Sequence, residues 1–574
     1  MDEGLQFMIN NTMNEKNKQQ NENFDSNQKG IRAVVIGSGI SGMTAAVKLA
    51  QAGAFVTLVS PFPSERSQSV MAAGGINAVL KSCDVGDSVE SHIEDTLKGG
   101  AYLAGEKAVK GLCSSAEKVI EFLEQVGTVF TVDEKGQPEK RVFGGQSHKR
   151  TCFSGSSTGK QIVSGLVMET RRYEAKGLIK RMLWSCFHSA LIKDGVCYGV
   201  IVFNETTGSL EEIYGDAVII ATGGQNSLFG KTTGSTQCDG YTAGKLFMQG
   251  ATLKNLEFIQ YHPTTLETTQ KKMLISEAVR GEGGRLFYLE NGKRVYFLED
   301  KYGPKGNLLT RDVLSREIEA CGREVFLDIS FLEPKEIEKR IPEVKEVCQK
   351  YRGIDICKEP IPVSPSVHFF MGGLAVHLNH ETNIKNLFAI GECASIYHGA
   401  NRLGGNSLLS AVYSGMIASE EIIARGPSSG EHPDFSEALQ EAQNNLRINT
   451  SEESKFPAAY IKDMVSETIS KNLGIVRREE SLKEGISDID YYLSVADKIS
   501  YDNSVMIYEV YSLKGILALA KAVLTCALAR CESRGAHFRE DFPESKDELK
   551  YASIIMYDEG DYRVNLDREM QYEN

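Results

Sequence analysis

Residues 33–59 read AVVIGSGISGMTAAVKLAQAGAFVTLV, and this stretch decides the fold. The apolar run at 33–36 predicts a buried strand, the apolar spacing over 43–51 predicts a helix, and 55–59 predicts a second strand. The turn GSGISG lies between the first strand and the helix, and its glycines allow a close approach to a pyrophosphate. Such a group would rest on the helix N-terminus, which favours an anion. The stretch therefore predicts a βαβ unit with a dinucleotide site.

The residue after the second strand is Ser60, where a nicotinamide-binding unit usually carries an acidic residue for the ribose. This departure weakens a nicotinamide interpretation and leaves a dinucleotide site. Two further segments, AVIIATGG at 217–224 and NLFAIGE at 386–392, each read as a buried strand that ends in a glycine turn. Because these segments are spread over about 360 residues, we predict one nucleotide-binding domain split by insertions.

Composition and charge exclude several classes of protein. The chain has 574 residues, enough for about two to four domains. Its formal net charge of −13 argues against nucleic acid as a partner, because a phosphate backbone requires a basic surface. The longest apolar run, at 515–529, contains Lys521 and is too short for a direct membrane span, so we interpret it as a buried helix.

Cysteine usage and the first residues complete this outline. The 12 cysteines include no Cys-x-x-Cys pair, so neither zinc nor an iron–sulfur cluster is indicated and no metal site is predicted. Cysteines scattered along a long chain suggest reduced thiols and a cytoplasmic setting. Residues 1–29 are rich in Asn, Gln, Glu and Lys, and they predict a disordered extension without a signal peptide.

A second stretch, residues 365–410, gathers groups that could bind an anion. It contains His368, Arg402 and a glycine-rich turn before a helix predicted over 407–423, with Asn406 and Ser407 as N-cap types. The helix start suits an anionic group, and Arg402 can hold a carboxylate bidentately. A buried arginine ion pair and a core histidine would suit the same stretch, so both interpretations stay open at this point.

The motifs taken together resemble the flavoprotein subunit of fumarate reductase and succinate dehydrogenase, with L-aspartate oxidase as a near relative. The resemblance runs from about residue 31 to 543 and includes YHPTT at 261–265, SEAVRGEGG at 276–284 and HGANRLGGNS at 398–407. It implies FAD and an α/β fold: a glutathione-reductase-like FAD-binding domain, an inserted α+β capping domain and a C-terminal helical domain. The implied boundaries are 30–255 and 366–428 for the FAD-binding domain, 256–365 for the capping domain, and 429–574 for the helical domain and tail.

The same resemblance implies an interconversion of fumarate and succinate, with fumarate reduced by hydride transfer from flavin N5. It implies a substrate site formed by His262, Ser276, His368, Arg402 and Phe143. It also implies Arg311 as the proton donor, with Glu277 and Arg280 as the relay that returns the proton from solvent. Arginine normally stays charged, so this role requires crowding by other cations and loss of water, which both favour the neutral form.

The implied FAD contacts are Gly37, Gly39, Gly42, Gln68, Gly74, Gly75, Asp239, Glu392, Ser407 and Leu408. The first three glycines are assigned to the pyrophosphate and Glu392 to a ribose hydroxyl. Ser407 and Leu408 are assigned to the flavin O2 and N1 side, where the helix dipole would stabilise the anionic reduced flavin. Gln68 stands where the membrane-bound enzymes carry the histidine that bonds covalently to FAD. The resemblance therefore predicts FAD without a covalent bond and, with it, fumarate reduction as the main direction.

Two alternatives remain. Aspartate oxidases carry a glutamate for the substrate ammonium group where this chain has Phe143, which favours fumarate. Glu277-Ala278 and the segment VFLDIS at 325–330 lean toward L-aspartate oxidase. The other alternative is an FAD-binding electron-transfer or regulatory module. The resemblance also implies an iron–sulfur subunit and membrane anchor subunits as partners, so that the protein would lie at the cytoplasmic face of a membrane.

Overall fold

The computed structural model describes residues 30–80, 86–155, 157–428, 432–446, 457–496 and 507–566. The predicted extension over residues 1–29 lies outside these ranges. The βαβ unit is present, with strand Arg32–Ile36, helix Ile40–Gln51 and strand Phe55–Ser60. The helix begins three residues earlier than predicted, because Gly39 is extended and is its N-cap.

A parallel sheet forms the centre of the FAD-binding domain. Its strands in spatial order are Leu387–Ala389, Ala217–Ile220, Arg32–Ile36, Phe55–Ser60 and Ile179–Leu183. Apart from the edge strand Ile179–Leu183, which contains Lys180 and Arg181, the strands are mostly apolar because helices and a second sheet cover the two faces of the parallel sheet. The three strand-then-glycine segments of the sequence are therefore neighbours in one sheet, which explains how a domain split by insertions keeps one dinucleotide site.

Further helices and strands of this domain surround the parallel sheet. The helices are Val89–Gly99, Glu106–Ser114, Ala116–Gln125, Thr158–Ala175, Tyr241–Met248 and Asn406–Arg425. An antiparallel sheet is formed by Ser185–Lys193, Val196–Asn204 and Ser209–Tyr214, and a small one by Ile76–Asn77, Thr151–Cys152 and Lys140–Arg141. Helix Asn406–Arg425 crosses helix Ile40–Gln51 closely, since a Cβ at Gly415 would lie 2.8 Å from Ser41 O.

The inserted region is built on an antiparallel sheet. Its strands in spatial order are Lys272–Leu274, Ile259–Glu267, Ile361–Phe370, Val325–Asp328, Arg285–Glu290 and Lys293–Val295. Its helices are Ala278–Gly281, Phe297–Tyr302, Arg311–Ala320, Pro334–Arg340 and Pro342–Arg352. The predicted boundary between residues 365 and 366 falls inside strand Ile361–Phe370, which carries His368. The inserted sheet and the second part of the FAD-binding domain thus share one continuous strand.

The C-terminal region is helical for most of its length. Its helices are Ser436–Leu446, Ala458–Asn472, Glu479–Ala496 and Ile507–Ala529. Strands Val476–Arg477 and Phe538–Arg539 pair in parallel. The region is not wholly helical, because Ile554–Asp558 and Asp561–Asn565 form a hairpin that joins a sheet with Leu253–Lys254, Gly373–Ala375 and Ala394–Ser395.

Within the described ranges, one helix segment, Tyr508–Ala529, is long and apolar enough to cross a membrane by length and composition. Most of this segment is buried inside the protein. Core helices of globular proteins are often equally long and apolar, and this helix packs against helix Tyr241–Met248 and helix Glu479–Ala496. The structure therefore places the predicted apolar segment inside the core.

Candidate active site

One cavity connects the glycine-rich turn with the predicted carboxylate clamp. All eighteen predicted site residues lie in the described ranges, and sixteen of them line this cavity. They are Gly37, Gly39, Gln68, Gly74, Gly75, Phe143, Asp239, His262, Ser276, Glu277, Arg311, His368, Glu392, Arg402, Ser407 and Leu408. The two that do not line it are Gly42 and Arg280. Residues far apart in sequence thus meet at one site.

The glycine-rich turn is held by close backbone contacts. Gly37 has φ +109°, and a Cβ there would lie 2.3 Å from Ala221 O. A Cβ at Gly42 would lie 1.9 Å from Gly37 O, so Gly42 serves the packing of helix on turn. Gly42 does not line the cavity, and its contact with the pyrophosphate stays a prediction. Gly39 does line the cavity, and a Cβ there would lie 3.3 Å from Ser69 Oγ. The backbone at Gly39 is open to a phosphate.

The opposite wall of this part of the cavity is the start of helix Asn406–Arg425. Its N-cap is Gly405, with φ +86°, and not Asn406 or Ser407 as predicted. A Cβ at Gly405 would lie 2.0 Å from Asn77 Oδ1, so only glycine fits. Asn406 is instead buried in the first turn, where its side chain bonds to Asn77 and Thr96. Ser407 and Leu408 follow in that turn and line the cavity. The helix dipole is therefore directed at the cavity.

The remaining cofactor candidates also face the cavity. Gln68 lies in the short 3₁₀ helix Gln68–Met71. Gly75 has φ +131° and no room for a side chain beside Cys152 O. Glu392 accepts a hydrogen bond from Phe370 N at 3.1 Å, and burial raises its pKa to about 7 although this bond opposes the shift. A glycine backbone, a helix start and buried acceptors along one cavity fit a dinucleotide.

The two predicted substrate histidines lie on adjacent strands of the inserted sheet. His262 is on Ile259–Glu267 and His368 on Ile361–Phe370, and their ring centroids are 5.2 Å apart. Burial lowers the pKa of both imidazoles well below the ordinary value, and Arg311 lowers both further. His368 Nδ1 lies 2.9 Å from Thr233 Oγ1, and His262 Nδ1 lies 3.0 Å from Thr264 O. These contacts fix both rings at the cavity wall.

Arg311 begins helix Arg311–Ala320 and is buried. Its Nε and Nη2 donate to Glu277 Oε2 at 3.0 and 2.8 Å, and its Nη1 donates to Gln260 Oε1 at 3.0 Å. Burial would raise the pKa of Glu277, but Arg311 and Arg280 outweigh it and lower the pKa to about 2. Glu277 also accepts a hydrogen bond from Gly144 N at 2.8 Å. It is therefore a fully engaged carboxylate.

Arg280 lies behind Glu277 as seen from the cavity. Glu277 is the N-cap of helix Ala278–Gly281, and its Oε1 lies 3.4 Å from Arg280 Nη2. Arg280 Nη1 donates to Asn307 O at 2.8 Å. The side chain of Arg280 is fully buried, so the three groups form a row in the order Arg311, Glu277, Arg280, leading away from the cavity.

Arg402, in the loop before helix Asn406–Arg425, is a second cationic side chain of the cavity wall besides Arg311. It is 3% exposed, its guanidinium lies over the ring of Phe369, and its Nη2 donates to Gln260 Oε1 at 3.0 Å. Its Nε is buried and has no hydrogen-bond partner among the described residues. Buried N–H groups without a hydrogen-bond partner are rare, so an anionic ligand that accepts from Arg402 Nε would complete this site. Burial, and after it Arg311, lowers the pKa of Arg402 well below the ordinary value.

Phe143 and Ser276 line the same part of the cavity. Phe143 is 3% exposed, and a Cβ at Gly74 would touch its ring at 3.4 Å. Ser276 Oγ accepts a hydrogen bond from Ala278 N at 3.3 Å, so its hydroxyl hydrogen is available to a ligand.

Sequence reasoning missed Gln260 and Thr233. Gln260 is fully buried, and its Nε2 donates to Asn401 Oδ1 and to Arg402 O. Gln260 stands two residues before His262, which is the only hint of its place that the sequence contains. Its partners lie 51 and 142 residues away. Thr233 lies in a loop between two glycines, and no sequence pattern marked it.

Comparison with known proteins matches most of the chain. Residues 32–408 match the FAD binding domain family, and residues 462–573 match the family described as fumarate reductase flavoprotein C-term. The protein belongs to the fumarate reductase and succinate dehydrogenase flavoprotein family. It is a flavin-dependent oxidoreductase that binds FAD, and the predicted fold class is confirmed.

Members of this family with different names resemble the chain about equally. The succinate dehydrogenase flavoprotein subunit of Bacillus subtilis is 36% identical over 90% of this chain and 92% of its own length. The L-aspartate oxidase of Pyrococcus furiosus is 35% identical over 92% of this chain and 98% of its own. The FrdA chain of E. coli quinol fumarate reductase is 30% identical with a TM-score of 0.86, covering 93% of this chain and 96% of that one. Overall sequence identity therefore does not indicate which substrate this protein uses. The substrate has to be inferred from the residues that line the cavity.

Proposed function

We propose that the protein reduces fumarate to succinate, with Arg311 as the proton donor. The observation that supports this most is the convergence of His262, His368, Arg402 and Arg311 on the cavity that also holds the glycine-rich turn. A dicarboxylate needs a group with N–H donors at each end. His262, with the hydroxyl of Ser276, would hold one carboxylate, and His368 together with Arg402 would hold the other, so both ends can be held.

The remaining groups suit the reduction of a double bond. Bound FAD, when reduced, would be the source of the hydride for one alkene carbon. The protein then supplies a proton to the other carbon, and Arg311 is a buried donor that lines the cavity. Glu277, at 2.8 Å from Arg311 Nη2, returns the proton, and Arg280 at 3.4 Å is the next group in the row. A positioned acid of this kind contributes about 10²–10⁴-fold to a rate.

L-aspartate oxidation is the second candidate, because an L-aspartate oxidase is among the similar proteins. Its substrate carries an ammonium group, which requires a carboxylate when it is buried. Among the described residues, the carboxylates of the cavity wall are those of Asp239, Glu277 and Glu392. Each already accepts a hydrogen bond from the protein. Phe143 adds an apolar ring, so the cavity favours fumarate over aspartate.

Assays of purified protein separate these candidates. Fumarate would be offered with reduced viologen as the electron donor, and L-aspartate with oxygen as the acceptor. We expect turnover of fumarate and at most slow oxidation of L-aspartate. Faster oxidation of L-aspartate would reverse the assignment, and no turnover of either substrate by FAD-loaded protein would support an electron-transfer or regulatory module.

We propose further that FAD is held without a covalent bond, because Gln68 lacks the nucleophilic nitrogen that a histidyl link uses. In this family a covalent link raises the flavin potential, so its absence favours reduction of fumarate over oxidation of succinate. An iron–sulfur subunit and membrane anchor subunits are the proposed partners, and they would hold the protein at the cytoplasmic face of a membrane. The names of several similar proteins, which call them subunits, support a multi-subunit assembly.

A further inference from the structure

The C-terminal helix Ile507–Ala529 reaches the wall of the cofactor cavity. It crosses helix Tyr241–Met248 with the two backbones in contact, because a Cβ at Gly244 would lie 1.9 Å from Gly515 O. A Cβ at Gly515 would lie 2.7 Å from Tyr241 O. Two glycines facing each other let helices approach closely and fix where they cross. This crossing determines which residue of the C-terminal helix meets the cavity.

That residue is Tyr508, which lines the cavity beside Asp239. Its hydroxyl donates to Asp239 Oδ2 at 2.8 Å, and its ring stacks edge-on against Tyr241 with centroids 5.2 Å apart. The other oxygen, Asp239 Oδ1, accepts a hydrogen bond from Tyr241 N at 3.2 Å. One carboxylate of the cavity wall is therefore held from two sides, by the FAD-binding domain and by the C-terminal helix.

A lysine of the C-terminal region supports this contact. Lys462 Nζ lies 5.3 Å from the centroid of the Tyr508 ring and donates to Ser512 Oγ at 3.0 Å. Burial raises the pKa of Asp239, while the charge of Lys462 and the hydroxyl of Tyr508 act in the opposite direction. Two groups from the C-terminal region thus help to keep Asp239 ionised and oriented.

We propose that Tyr508 is a cofactor-positioning residue, which holds Asp239 at the cavity wall and thereby makes the affinity for FAD depend on docking of the C-terminal helix. A hydrogen bond to a charged group is worth more than a neutral one, and a buried carboxylate that loses a donor is costly. Without the Tyr508 hydroxyl, Asp239 keeps one donor, Tyr241 N, and its orientation toward a bound ligand is no longer fixed from both sides. The proposal rests on FAD binding and on the placement of Asp239, but it does not depend on the substrate.

The test measures FAD affinity directly. Apoprotein would be titrated with FAD while flavin fluorescence is followed, for the unmodified protein, Tyr508→Phe, Asp239→Asn and the double variant. We expect Tyr508→Phe to raise the dissociation constant for FAD about 10- to 100-fold. In the double variant the effect of Tyr508→Phe should nearly vanish, because the two residues act through one hydrogen bond.

Tyr511→Phe is the matched control. Tyr511 lies one turn further along the same helix and does not line the cavity, and its buried hydroxyl has no hydrogen-bond partner among the described residues. We expect its FAD dissociation constant to stay within about twofold of the unmodified value. Thermal unfolding of each apoprotein separates lost affinity from lost stability, since Tyr508→Phe should lower the FAD-induced rise in Tm more than the Tm of the apoprotein.

Hydrogen exchange gives a second readout. FAD should protect the amides of residues 507–529 in the unmodified protein and protect them less in Tyr508→Phe. An unchanged FAD dissociation constant in Tyr508→Phe would overturn the proposal. The proposal would also be overturned if the fold-changes in the FAD dissociation constant of Tyr508→Phe and Asp239→Asn multiplied fully in the double variant. The two residues would then act independently. If the unmodified protein binds FAD but does not turn over fumarate, the proposed reaction is wrong and this inference still stands.

Discussion

Gln260 holds Arg311 with the same amide oxygen that it presents to Arg402. Arg311 Nη1 and Arg402 Nη2 both donate to Gln260 Oε1 at 3.0 Å. The amide nitrogen of Gln260 donates in turn to Asn401 Oδ1. Two buried guanidinium groups would otherwise repel each other, and the shared oxygen lies between them. Gln260 therefore couples the position of the proposed proton donor to that of the carboxylate clamp.

Gln260→Met should lower both kcat and kcat/KM for fumarate about 10- to 100-fold. Methionine has a similar length but no amide, so each arginine loses an acceptor in a buried site. Steady-state kinetics would measure this, and Gln137→Met, at an exposed position, is the control. Retention of full kcat would show that Arg311 is positioned by Glu277 alone.

Arg311→Ala should leave FAD and dicarboxylate binding nearly intact and lower the turnover rate for fumarate by about 10²–10⁴-fold. Arg311→Lys should restore little, because lysine differs in reach and donor geometry. Binding would be followed by titrating the flavin spectrum with malonate, and turnover by viologen oxidation. Arg323→Ala serves as the control, since Arg323 forms a half-exposed ion pair with Glu290. Normal turnover in Arg311→Ala would refute the assigned role.

Glu277→Gln should destabilise the protein by about 3–5 kcal/mol at pH 7, because it leaves the guanidinium groups of Arg311 and Arg280 without their carboxylate. The pKa of Glu277 is lowered from 4.5 to about 2, so its contribution is fully present above pH 4.5 and is lost as the pH falls through 2. The stability difference between the two proteins should therefore shrink by about 1.4 kcal/mol per pH unit below pH 4.5.

Urea unfolding at several pH values would measure this difference. Glu290→Gln, in an exposed ion pair, is the matched control and should show little change with pH. A difference that stays constant from pH 7 to pH 3 would contradict the strong ion pairing of Glu277.

Thr233→Val should raise the KM for fumarate about tenfold, with a smaller effect on kcat. The Thr233 hydroxyl bonds to His368 Nδ1 and to Val367 O, and valine keeps its shape but not its hydrogen bonds. Thr233→Ser retains the hydroxyl and should stay close to the unmodified protein. Equal kinetics of the serine and valine variants would show that the hydroxyl does not position His368.

Acid precipitation should release all of the flavin from the purified protein, because Gln68 does not form the histidyl link. The absorbance of the supernatant and of the pellet near the flavin maxima measures this. Gln68→His is the informative comparison, since it restores a ring nitrogen at a position that lines the cavity. Flavin that stays with the pellet of the unmodified protein would place the covalent bond on another residue.

The local parts of the fold could be predicted from the sequence. The βαβ unit at 33–59 follows from apolar spacing and one glycine turn, and the structure moves only the start of its helix, to Ile40. The first-turn position of Asn406 was not predicted, because the N-cap Gly405 depends on the contact of its backbone with Asn77. The hairpin at 554–565 had a signal in the sequence, the turn Asp-Glu-Gly-Asp between apolar-rich runs, which the helical interpretation of this region passed over.

The site could be predicted only where a resemblance supplied it. The cavity brings sixteen predicted residues together, but Gln260, Thr233 and Tyr508 have their partners 51, 135 and 269 residues away. Local patterns carry no information about such contacts, because they depend on how distant elements pack. Arg280 lies three residues after Glu277 and is paired with it, but it lies outside the cavity, which no local pattern indicates.

The pairing of strand Leu253–Lys254 with strand Ile554–Asp558 has a consequence for synthesis of the protein. These partners are separated by about 300 residues, which a ribosome adds in about 15–60 s at ordinary rates. During that interval the nascent chain carries one edge of Leu253–Lys254 without its final neighbour, immediately before the strand that bears His262. A message that ends before codon 554 would yield a chain with this edge exposed for its whole lifetime, and such edges recruit strands from other chains.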